Sequence, residues 1–392
     1  MLKEIKSCCG CQACAQACPR SCITMKPDKE GFSYPVIDET VCIRCGLCEK
    51  VCPVLQKKEK EQEIPKAYGA YCRSEEVRLA SSSGGVFTLL AEYVLEQDGV
   101  VYGATMENFR VKHIRVADRG GLAQLRGSKY VQSDINGTYV QAKADLEAGK
   151  TVLFTGTPCQ IEGLRAFLQK DYEKLFAVDI ICHGVPSPMV WEKYVAFREK
   201  TAGSKAKHMV FRDKKDGWKA YGVSFSFADK TTYLRPYHED IFMKAFLRDL
   251  CLRPSCYQCS FKKMNRVSDL TIADFWGADE VCPEMDDDKG TSLVILHSEQ
   301  GEAIFRSISE QMRYMETDLT EALKHNPAMI RSAAEPRHRD DFMEKVHTQD
   351  LEALVRKYAK AKLSVKKIIK AVFARLGLLE SIKTWKKRWL NR

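Results

Sequence analysis

One cysteine pattern occurs twice near the amino terminus of the chain. In both runs the spacing is C-x2-C-x2-C-x3-C, and a proline follows directly. The first run comprises Cys8, Cys11, Cys14 and Cys18, and the second comprises Cys42, Cys45, Cys48 and Cys52. This spacing lets three thiolates bind three corners of one iron–sulfur cubane, while the fourth cysteine reaches a second cubane. The two runs therefore predict two [4Fe–4S] clusters.

We expect each cluster to take three ligands from one run and the fourth from the other. Cluster I would be bound by Cys8, Cys11, Cys14 and Cys52. Cluster II would be bound by Cys42, Cys45, Cys48 and Cys18. Two zinc sites are the alternative, but four-cysteine zinc sites usually show two C-x2-C pairs separated by a longer spacer. The pattern thus favours a protein that transfers electrons.

The composition narrows the class of protein further. The chain has 392 residues, enough for two or three domains, and 17 cysteines. Disulfide-rich secreted chains are small and carry a signal peptide, whereas the first residues here contain no apolar segment of that kind. No stretch reaches the roughly 18 apolar residues of a membrane span. We therefore expect a cytoplasmic protein whose cysteines are reduced metal ligands.

The net charge of +10 is concentrated at the carboxyl end. Residues 355–392 contain thirteen Lys or Arg and one acidic residue, so the body of the chain is near neutral and gives no support for nucleic-acid binding. In 362–392, apolar residues recur at helical spacing opposite a basic face. Such a helix can lie on an anionic membrane surface, as a peripheral contact, or pack its apolar stripe on the body; both interpretations stay open.

Composition and periodicity divide the chain into four parts. Residues 1–55 form an α+β, ferredoxin-like two-cluster module, and the charged, apolar-poor segment 56–65 is a linker. Residues 66–336 alternate strands and helices, which predicts a mixed α/β domain with a mainly parallel sheet and an antiparallel insert from His208 to Tyr237. Residues 337–392 form a helical basic tail.

A second group of cysteines is spread over the α/β domain. Cys159 and Cys182 each follow a predicted buried strand, and Cys256 and Cys259 form a C-x2-C loop. Because ligands gather at the carboxyl ends of parallel strands, the four thiols could converge on a third cubane. Alternatively, Cys159 and Cys182 are small buried apolar residues. The cysteines without matching spacing are predicted to bind no metal: Cys9, Cys22, Cys72, Cys251 and Cys282.

Two glycine-containing segments have the character of anion-binding turns. SSSGG (81–85) precedes an apolar helix, whose first backbone N–H groups would suit a pyrophosphate, although a plain helix N-cap explains the same residues. RGSKY (126–130) places Arg126 and Lys129 beside a glycine turn. Neither segment fits the G-x-G-x-x-G or Walker A pattern.

Taken in order, these segments resemble the coenzyme F420 hydrogenase/dehydrogenase beta-subunit family. The resemblance covers residues 1 to about 300 and rests on the two-cluster module followed by six motifs. They are SSSGG (81–85), RGSKYVQS (126–133), GTPCQ (156–160), DIICHGVPSP (179–188), LRPSCYQC (252–259) and SDLTIADFWG (268–277). The family consists of iron–sulfur flavoproteins. The resemblance therefore implies electron passage between a two-electron carrier, such as a deazaflavin, and one-electron clusters through FAD.

The resemblance also implies site residues. The expected ligands of the third [4Fe–4S] cluster are Cys159, Cys182, Cys256 and Cys259. The expected surround of the flavin is Ser82, Ser83, Gly84, Gly85, Arg126, Ser128, Lys129, Thr157 and Pro158. The resulting prediction for residues 66–336 is a flavin- and iron–sulfur-binding oxidoreductase domain, with no catalytic side chain assigned.

Two other functions stay open from the sequence. The chain could be a non-catalytic electron-transfer subunit that docks to a catalytic partner, since an exposed two-cluster module suits docking. It could also be a ferredoxin-linked reductase of a sugar or lipid-linked intermediate in surface-polysaccharide assembly. A redox partner protein or a soluble carrier (deazaflavin, NAD(P)H or ferredoxin) is expected in each case, with the direction of electron flow and the oligomeric state left open.

Overall fold

The computed structural model describes residues 4–56 and 64–359, and its amino-terminal module is built around the two cysteine runs. Each run contains a short helix that includes its third cysteine, α1 (Ala13–Ala17) or α2 (Leu47–Lys50). Between the helices, β1 (Ile23–Pro27) and β2 (Ser33–Ile37) pair as an antiparallel hairpin. The predicted α+β module is therefore present, while most of the predicted linker lies outside the described residues.

Eleven further strands follow in the described part of the chain, arranged in two sheets. They are β3 (Lys66–Cys72), β4 (Val100–Glu107), β5 (Arg110–Val116), β6 (Val152–Gly156), β7 (Leu175–Ile180), β8 (Ala206–Asp213), β9 (Gly222–Phe227), β10 (Thr232–Pro236), β11 (Leu270–Asp274), β12 (Ser292–Leu296) and β13 (Met312–Thr317). The large sheet has the order β13-β3-β12-β11-β7-β6-β4-β5. The small one, β10-β9-β8, is antiparallel and corresponds to the predicted insert.

The large sheet is less parallel than the sequence predicts. Only the central pairs β4–β6, β6–β7 and β7–β11 are parallel, and the other four pairs are antiparallel. At one edge, β4 and β5 are joined by Asn108 and Phe109 alone, both with positive φ, and so short a turn permits only a hairpin. At the other edge, β12 returns against both β11 and β3. Parallel geometry is thus confined to the middle of the sheet.

The strand directions nevertheless create one shared edge. In β3, β4, β6, β7 and β11 the chain runs the same way, because β12 is antiparallel to both β11 and β3. The carboxyl ends of these five strands therefore lie along one edge. In open α/β sheets this edge is where ligands bind.

Helices cover both faces of the sheet. The described part of the chain contains α3 (Glu75–Ala80), α4 (Val86–Leu95), α5 (Arg119–Leu122), α6 (Thr138–Glu147), α7 (Pro158–Leu168), α8 (Pro188–Ala202), α9 (Ile241–Leu247), α10 (Ala278–Val281), α11 (Glu299–Ser307), α12 (Leu319–His325), α13 (Arg339–Lys345) and α14 (Leu351–Tyr358). Helices α4 and α11 share one apolar cluster with the sheet. Helices α6 and α7 form another, which also includes the buried Cys9, Cys11 and Ala13. The two-cluster module thus packs on the α6–α7 side.

A buried polar contact fixes the module on the main domain. Arg339 of α13 forms an ion pair with Glu30, which lies in the β1–β2 turn. The hydroxyl of Ser187 donates to the backbone carbonyl of Glu30. Gly31 (φ +82°) approaches α8 so closely that a Cβ would lie 2.7 Å from the backbone nitrogen of Met189. The module therefore has one defined position relative to the domain.

The carboxyl-terminal part is helical as far as it is described. Of the predicted tail, residues 337–359 contain α13 and α14, whereas the basic segment 362–392 lies outside the described residues. Within the described ranges, none of the helices combines the length and the apolar character that crossing a membrane requires.

Two buried histidines make the fold sensitive to acid. Burial lowers the pKa of His113 from 6.5 to about 4, and that of His297 to about 3. His113 donates from Nε2 to the carbonyl of Thr155 at 3.0 Å and stacks on Phe154. Both histidines are therefore neutral in the folded protein at neutral pH.

We predict that the free energy of unfolding falls as the pH drops below 6.5. His113 is protonated below that pH in the unfolded chain, whereas in the folded protein its pKa is about 4. Between pH 7 and 5.5 the loss is about 1 kcal/mol for this histidine. His113→Gln should remove that part of the pH dependence in urea unfolding. His208→Gln, at an exposed position, is the control and should leave the dependence unchanged; equal behaviour of the two variants would contradict the prediction.

Candidate functional site

Sulfurs from both runs share the environment of cluster I. Burial raises the pKa of Cys14 to about 12, and the nearby sulfurs of Cys8 and Cys52 act in the same direction. Burial also raises the pKa of Cys8, and the positive charge of Arg253 opposes that rise. Cys11 faces α7, where a Cβ at Gly163 would lie 2.8 Å from the Cβ of Cys11. Cys8, Cys14 and Cys52 thus lie near one another, and four thiols are the donor set of a cubane.

The thiols assigned to cluster II line one cavity near the surface. Its walls are formed by Cys18, Pro19, Arg20, Cys22, Ile23, Ile37, Cys42, Ile43, Arg44, Cys45, Gly46, Leu47 and Cys48. Cys45 is exposed, whereas Cys8 and Cys11 of cluster I are buried. All four predicted ligands, one of them from the first run, therefore face one space enclosed by aliphatic side chains. The crossed assignment of ligands stays a prediction.

Cys22 lies directly beside this cavity, although its spacing in the sequence gave it no role. Its Sγ is 3.3 Å from the Sγ of Cys18, and it also hydrogen-bonds with Cys42. Cys22 lies only four positions after Cys18, but it falls outside the C-x2-C-x2-C-x3-C pattern, so the pattern assigned it no ligand role. Cys22 is thus positioned to replace Cys18 as a ligand.

We predict that Cys18→Ala alone keeps cluster II, because Cys22 can bind the same iron. The double variant Cys18→Ala/Cys22→Ala should lose about four irons per chain. Iron and acid-labile sulfide analysis under anaerobic conditions measures both. Cys72→Ala, at a buried cysteine in β3, is the control and should keep all iron. Loss of four irons in the single variant would show that Cys22 cannot substitute.

The second group of cysteines converges at the carboxyl edge of the sheet. Cys159 begins α7 after β6, Cys182 follows β7, and the other two lie at the single-turn helix Pro254–Gln258 and just after it. Burial raises the pKa of Cys182 to about 12, and the sulfurs of Cys159 and Cys259 add to that rise. Burial also raises the pKa of Cys256, and the sulfurs of Cys182 and Cys159 act in the same direction. The four thiols, each of them half-buried, therefore lie near one another.

This group of thiols is not a site for a single metal ion. Within the described residues, no three His, Cys, Asp or Glu side chains are arranged to hold one metal ion. The ligands of a cubane bind different irons and do not need to meet at one point. The donor chemistry of the four cysteines and their proximity are thus the features that fit a cluster.

Cys9 links the two groups of thiols, a position that sequence spacing did not reveal. A hydrogen bond with Cys11 raises the pKa of Cys9, a hydrogen bond with Cys159 lowers it, and burial adds to the rise. Its backbone carbonyl accepts from the side chain of Gln132 at 3.1 Å. Cys9 therefore connects the module directly to the second cysteine group.

The two glycine-containing segments meet at the same edge. The Ser128 amide and hydroxyl both donate to the Ser82 hydroxyl, at 2.7 and 2.9 Å. Ser83 donates to the carbonyl of Thr291, and a Cβ at Gly84 would lie 2.4 Å from the carbonyl oxygen of Ala70. Gly85 caps α4 without a side-chain hydrogen bond, so the first N–H groups of that helix have no capping side chain.

The two basic residues predicted beside the flavin have partners within the protein. The ammonium of Lys129 donates to the carbonyls of Gln124, Leu125 and Arg126, at 3.2, 2.9 and 2.8 Å. Burial lowers the pKa of Lys129 to about 7, while these three carbonyls favour its charged form. Arg126 donates to the hydroxyl of Thr88 at 3.2 Å. Arg126 also pairs with Glu92, whose Oε1 lies 3.9 Å from its Nη2. Lys129 thus closes its own turn with three hydrogen bonds, and Arg126 is held by one hydrogen bond and this longer ion pair.

Thr157 and Pro158 belong to the start of α7 at this edge. Thr157 and Gln160 form a capping box, and Pro158 occupies the first turn. The side chain of Gln160 also donates to the hydroxyl of Ser133 at 2.9 Å, which joins this turn to the 126–133 segment. The three segments expected around the flavin are therefore contiguous.

Arg212, which no sequence motif marked, and two residues of the SDLTIADFWG motif complete the edge. Arg212 of β8 pairs with Asp274 at the end of β11, yet its Nε and Nη2 atoms are buried without a hydrogen-bond partner among the described residues. Trp276 stacks on Trp218 with ring centroids 4.9 Å apart. Burial lowers the pKa of the nearby Lys214 to about 8. Buried N–H groups that lack an acceptor can donate to an anionic oxygen, and aromatic rings beside them can stack on a ring system. The two together fit an anionic aromatic cofactor such as a flavin nucleotide.

Three family models match consecutive parts of the chain. The 4Fe-4S dicluster domain matches residues 7–55. Two models describe the beta subunit of coenzyme F420 hydrogenase/dehydrogenase. The model of its N-terminal part matches residues 67–138, and the model of its C terminus matches residues 149–322. Together these two cover most of the described main domain.

Curated relatives agree with these matches. The coenzyme F420-dependent sulfite reductase of Methanocaldococcus jannaschii is 25% identical over 312 residues, which are 77% of this chain and 46% of that protein. An F(420)H(2) dehydrogenase subunit from Methanosarcina mazei is 22% identical over 188 residues, 45% of this chain and 53% of that protein. The 7Fe ferredoxin of Hydrogenibacillus schlegelii is 48% identical over 42 residues, 11% of this chain and 47% of that protein. The chain spans about half the length of these relatives.

Among solved structures, the F420-reducing [NiFe] hydrogenase complex from Methanosarcina barkeri contains a chain similar to this one. The superposition covers 74% of this chain and 97% of that chain, with a TM-score of 0.47 and 18% sequence identity.

Proposed function

Since the chain belongs to the coenzyme F420 hydrogenase/dehydrogenase beta-subunit family, we propose that it is an iron–sulfur flavoprotein oxidoreductase. It passes electrons between a two-electron carrier, a deazaflavin or a similar molecule, and [4Fe–4S] clusters. The observation that carries the proposal is the contiguity of three groups: the thiols of cluster I, the thiols around Cys159, and the flavin-type segments at the sheet edge. Cys9 touches the first two groups, and Gln160 joins the second to the third.

The cofactor set follows from these groups. The amino-terminal module holds two [4Fe–4S] clusters with the crossed ligands given above, and Cys159, Cys182, Cys256 and Cys259 hold a third. FAD, when bound, accepts two electrons as a hydride and returns them one at a time, which is the conversion that this pair of partners requires.

The residues of the sheet edge orient the flavin. The uncapped N–H groups at the start of α4 suit the pyrophosphate, and Ser82 and Ser128 hold the two segments together beside it. Arg212 has two buried donor atoms free for an anionic oxygen, counting partners among the described residues. The buried Trp218 stacks on Trp276 and forms an aromatic wall on this side. The protein's contribution is thus position and positive charge.

Counting the cofactors tests the proposal. Protein purified anaerobically should contain about twelve irons, as much acid-labile sulfide, and one FAD per chain. About eight irons without flavin would confine redox chemistry to the amino-terminal module. That result would instead favour the second candidate, a subunit that only carries electrons to a catalytic partner, for which the exposed Cys45 of cluster II is the supporting observation.

Arg126 provides a specific test of the flavin position. We predict that Arg126→Met weakens flavin retention about tenfold to a hundredfold, the cost of one charge-assisted hydrogen bond. Arg119→Met is the matched control, because Arg119 pairs with Glu96 at an exposed position nearby. Flavin per chain and the rate of flavin reduction are measured for both. Unchanged values in Arg126→Met would remove Arg126 from the flavin surround.

A further inference from the structure

Arg253 lies at the contact between the two-cluster module and the main domain. It belongs to the motif LRPSCYQC, three residues before Cys256, and its side chain is fully buried. The guanidinium donates to the carbonyl of Cys8 at 2.7 Å, to Oε1 of Gln132 at 2.9 Å and to the carbonyl of Ser33 at 3.0 Å. All three acceptors are neutral, and two of them belong to the module. Arg253 thus joins the module to the domain through hydrogen bonds to uncharged acceptors.

The charge of Arg253 has no carboxylate partner among the described residues. Of the five other buried arginines among the described residues, four form an ion pair, and the fifth, Arg198, stacks on Phe197 and Tyr233. These pairs are Arg78–Asp287, Arg212–Asp274, Arg266–Asp179 and Arg339–Glu30. A buried charge without a counter-charge is strongly unfavourable. Arg253 is 0% exposed and Arg198 is 8% exposed, so the charge of Arg253 is the less accessible to water, and a bound anion beside it would stabilise it.

The surroundings of Arg253 show where that anion lies. The guanidinium covers the ring of Tyr34 at 4.3 Å from the centroid, which closes one side to water. On the other side its Nε donates to the backbone carbonyl of Cys8 at 2.7 Å, and Arg253 itself lies three residues before Cys256, a predicted ligand of the third cluster. Gly10 permits this approach, because a Cβ there would lie 2.9 Å from Nη1 of Arg253. Thiolates bound to a cubane are the available negative charge.

We propose that Arg253 is the buried counter-charge of cluster I and of the neighbouring third cluster, and that it raises their reduction potentials. The inference rests on the proposed function, in which Cys8 and Cys159 are cluster ligands. Reduction adds one negative charge to a cluster, so a nearby cation that cannot lose its proton favours the reduced state. Arg253 is thus a positioning residue that also makes the two clusters at the domain contact easier to reduce.

Redox titration of the cofactor-loaded full chain, followed by electron paramagnetic resonance, tests this role. Arg253→Gln keeps a hydrogen-bond donor and removes the charge, while Arg253→Lys keeps the charge. We expect at least one cluster midpoint to become more negative in Arg253→Gln, with a smaller shift in Arg253→Lys. Arg198→Gln is the matched control, because Arg198 is buried and stacks on Tyr233 in the antiparallel insert. Its midpoints should equal those of the parent.

The outcomes separate this proposal from the function on which it rests. Unchanged midpoints in Arg253→Gln at full iron content would overturn the role of Arg253 and leave the proposed function intact. A parent protein that binds no cluster would overturn the function itself. If Arg253→Gln loses its clusters, Arg253→Lys distinguishes a role of the charge from a role of side-chain shape. Clusters and midpoints retained in the Lys variant support the charge, and clusters lost there as well would reduce Arg253 to a geometric contact.

Discussion

Replacing Arg339 with Met is expected to lower the free energy of unfolding by about 3–5 kcal/mol, because it leaves Glu30 buried without its counter-charge. Arg339 donates from Nη1 to Oε1 of Glu30 at 2.7 Å and from Nη2 to the carbonyl of Leu252 at 2.9 Å. The two side chains are 3% and 11% exposed. The pair also joins α13 to the β1–β2 turn, so its loss should loosen the two-cluster module.

Urea unfolding of the cluster-loaded protein, followed by circular dichroism without oxygen, measures this effect. The control is Arg356→Met, which removes an exposed pair with Glu352 on α14 and should cost about 0.5 kcal/mol or less. Glu30→Gln/Arg339→Met should recover part of the loss, since no unpaired charge then stays buried. If Arg339→Met cost no more than Arg356→Met, the pair would not hold the module in place.

The second large effect is expected at the C-x2-C pair of the main domain. Cys256→Ala/Cys259→Ala should lower the iron content by about four per chain and leave about eight, because the third cluster loses two of four ligands. The two clusters of the module take no ligand from these positions. The signals of the amino-terminal clusters should therefore persist in the variant.

Iron, acid-labile sulfide and electron paramagnetic resonance of the reduced protein measure this loss. Cys251→Ala is the matched control, since Cys251 is a fully buried cysteine in the same segment that the proposal gives no ligand role. It should keep all of its iron. An unchanged iron content in Cys256→Ala/Cys259→Ala would exclude the third cluster, and loss of all iron would show that the variant no longer folds.

The local features of this fold could be predicted from the sequence. The two cysteine runs and the hairpin between them are set by spacing and by one short turn. The antiparallel insert, predicted from His208 to Tyr237, extends from the start of β8 at Ala206 to the end of β10 at Pro236. The alternation of apolar and polar residues indicates that a segment is a strand. It does not indicate which other strand pairs with that segment, or in which direction. For that reason the prediction of a mainly parallel sheet was wrong for its outer pairs.

At the candidate site, too, local features could be predicted and long-range contacts could not. Residues in recognisable motifs, such as Cys159 after β6, could be named before the structure was known. Arg212, Arg253 and Arg339 could not, because a charged residue in a sequence carries no sign that it will be buried beside a distant partner. Arg253 belongs to the motif LRPSCYQC, but its role depends on a contact with Cys8, which is 245 positions away. Contacts of that range become visible only once the chain is folded.

The passage of electrons from a two-electron carrier into the clusters is tested most directly by rapid mixing. Anaerobic protein is mixed with one equivalent of a reduced deazaflavin, frozen at successive times, and measured by electron paramagnetic resonance. One hydride carries two electrons, so up to two reduced [4Fe–4S] clusters per chain should appear, after reduction of the bound flavin. In Cys256→Ala/Cys259→Ala the flavin should be reduced while the clusters respond far more slowly. Clusters that stay oxidised in the parent beside a reduced flavin would contradict the proposed electron path.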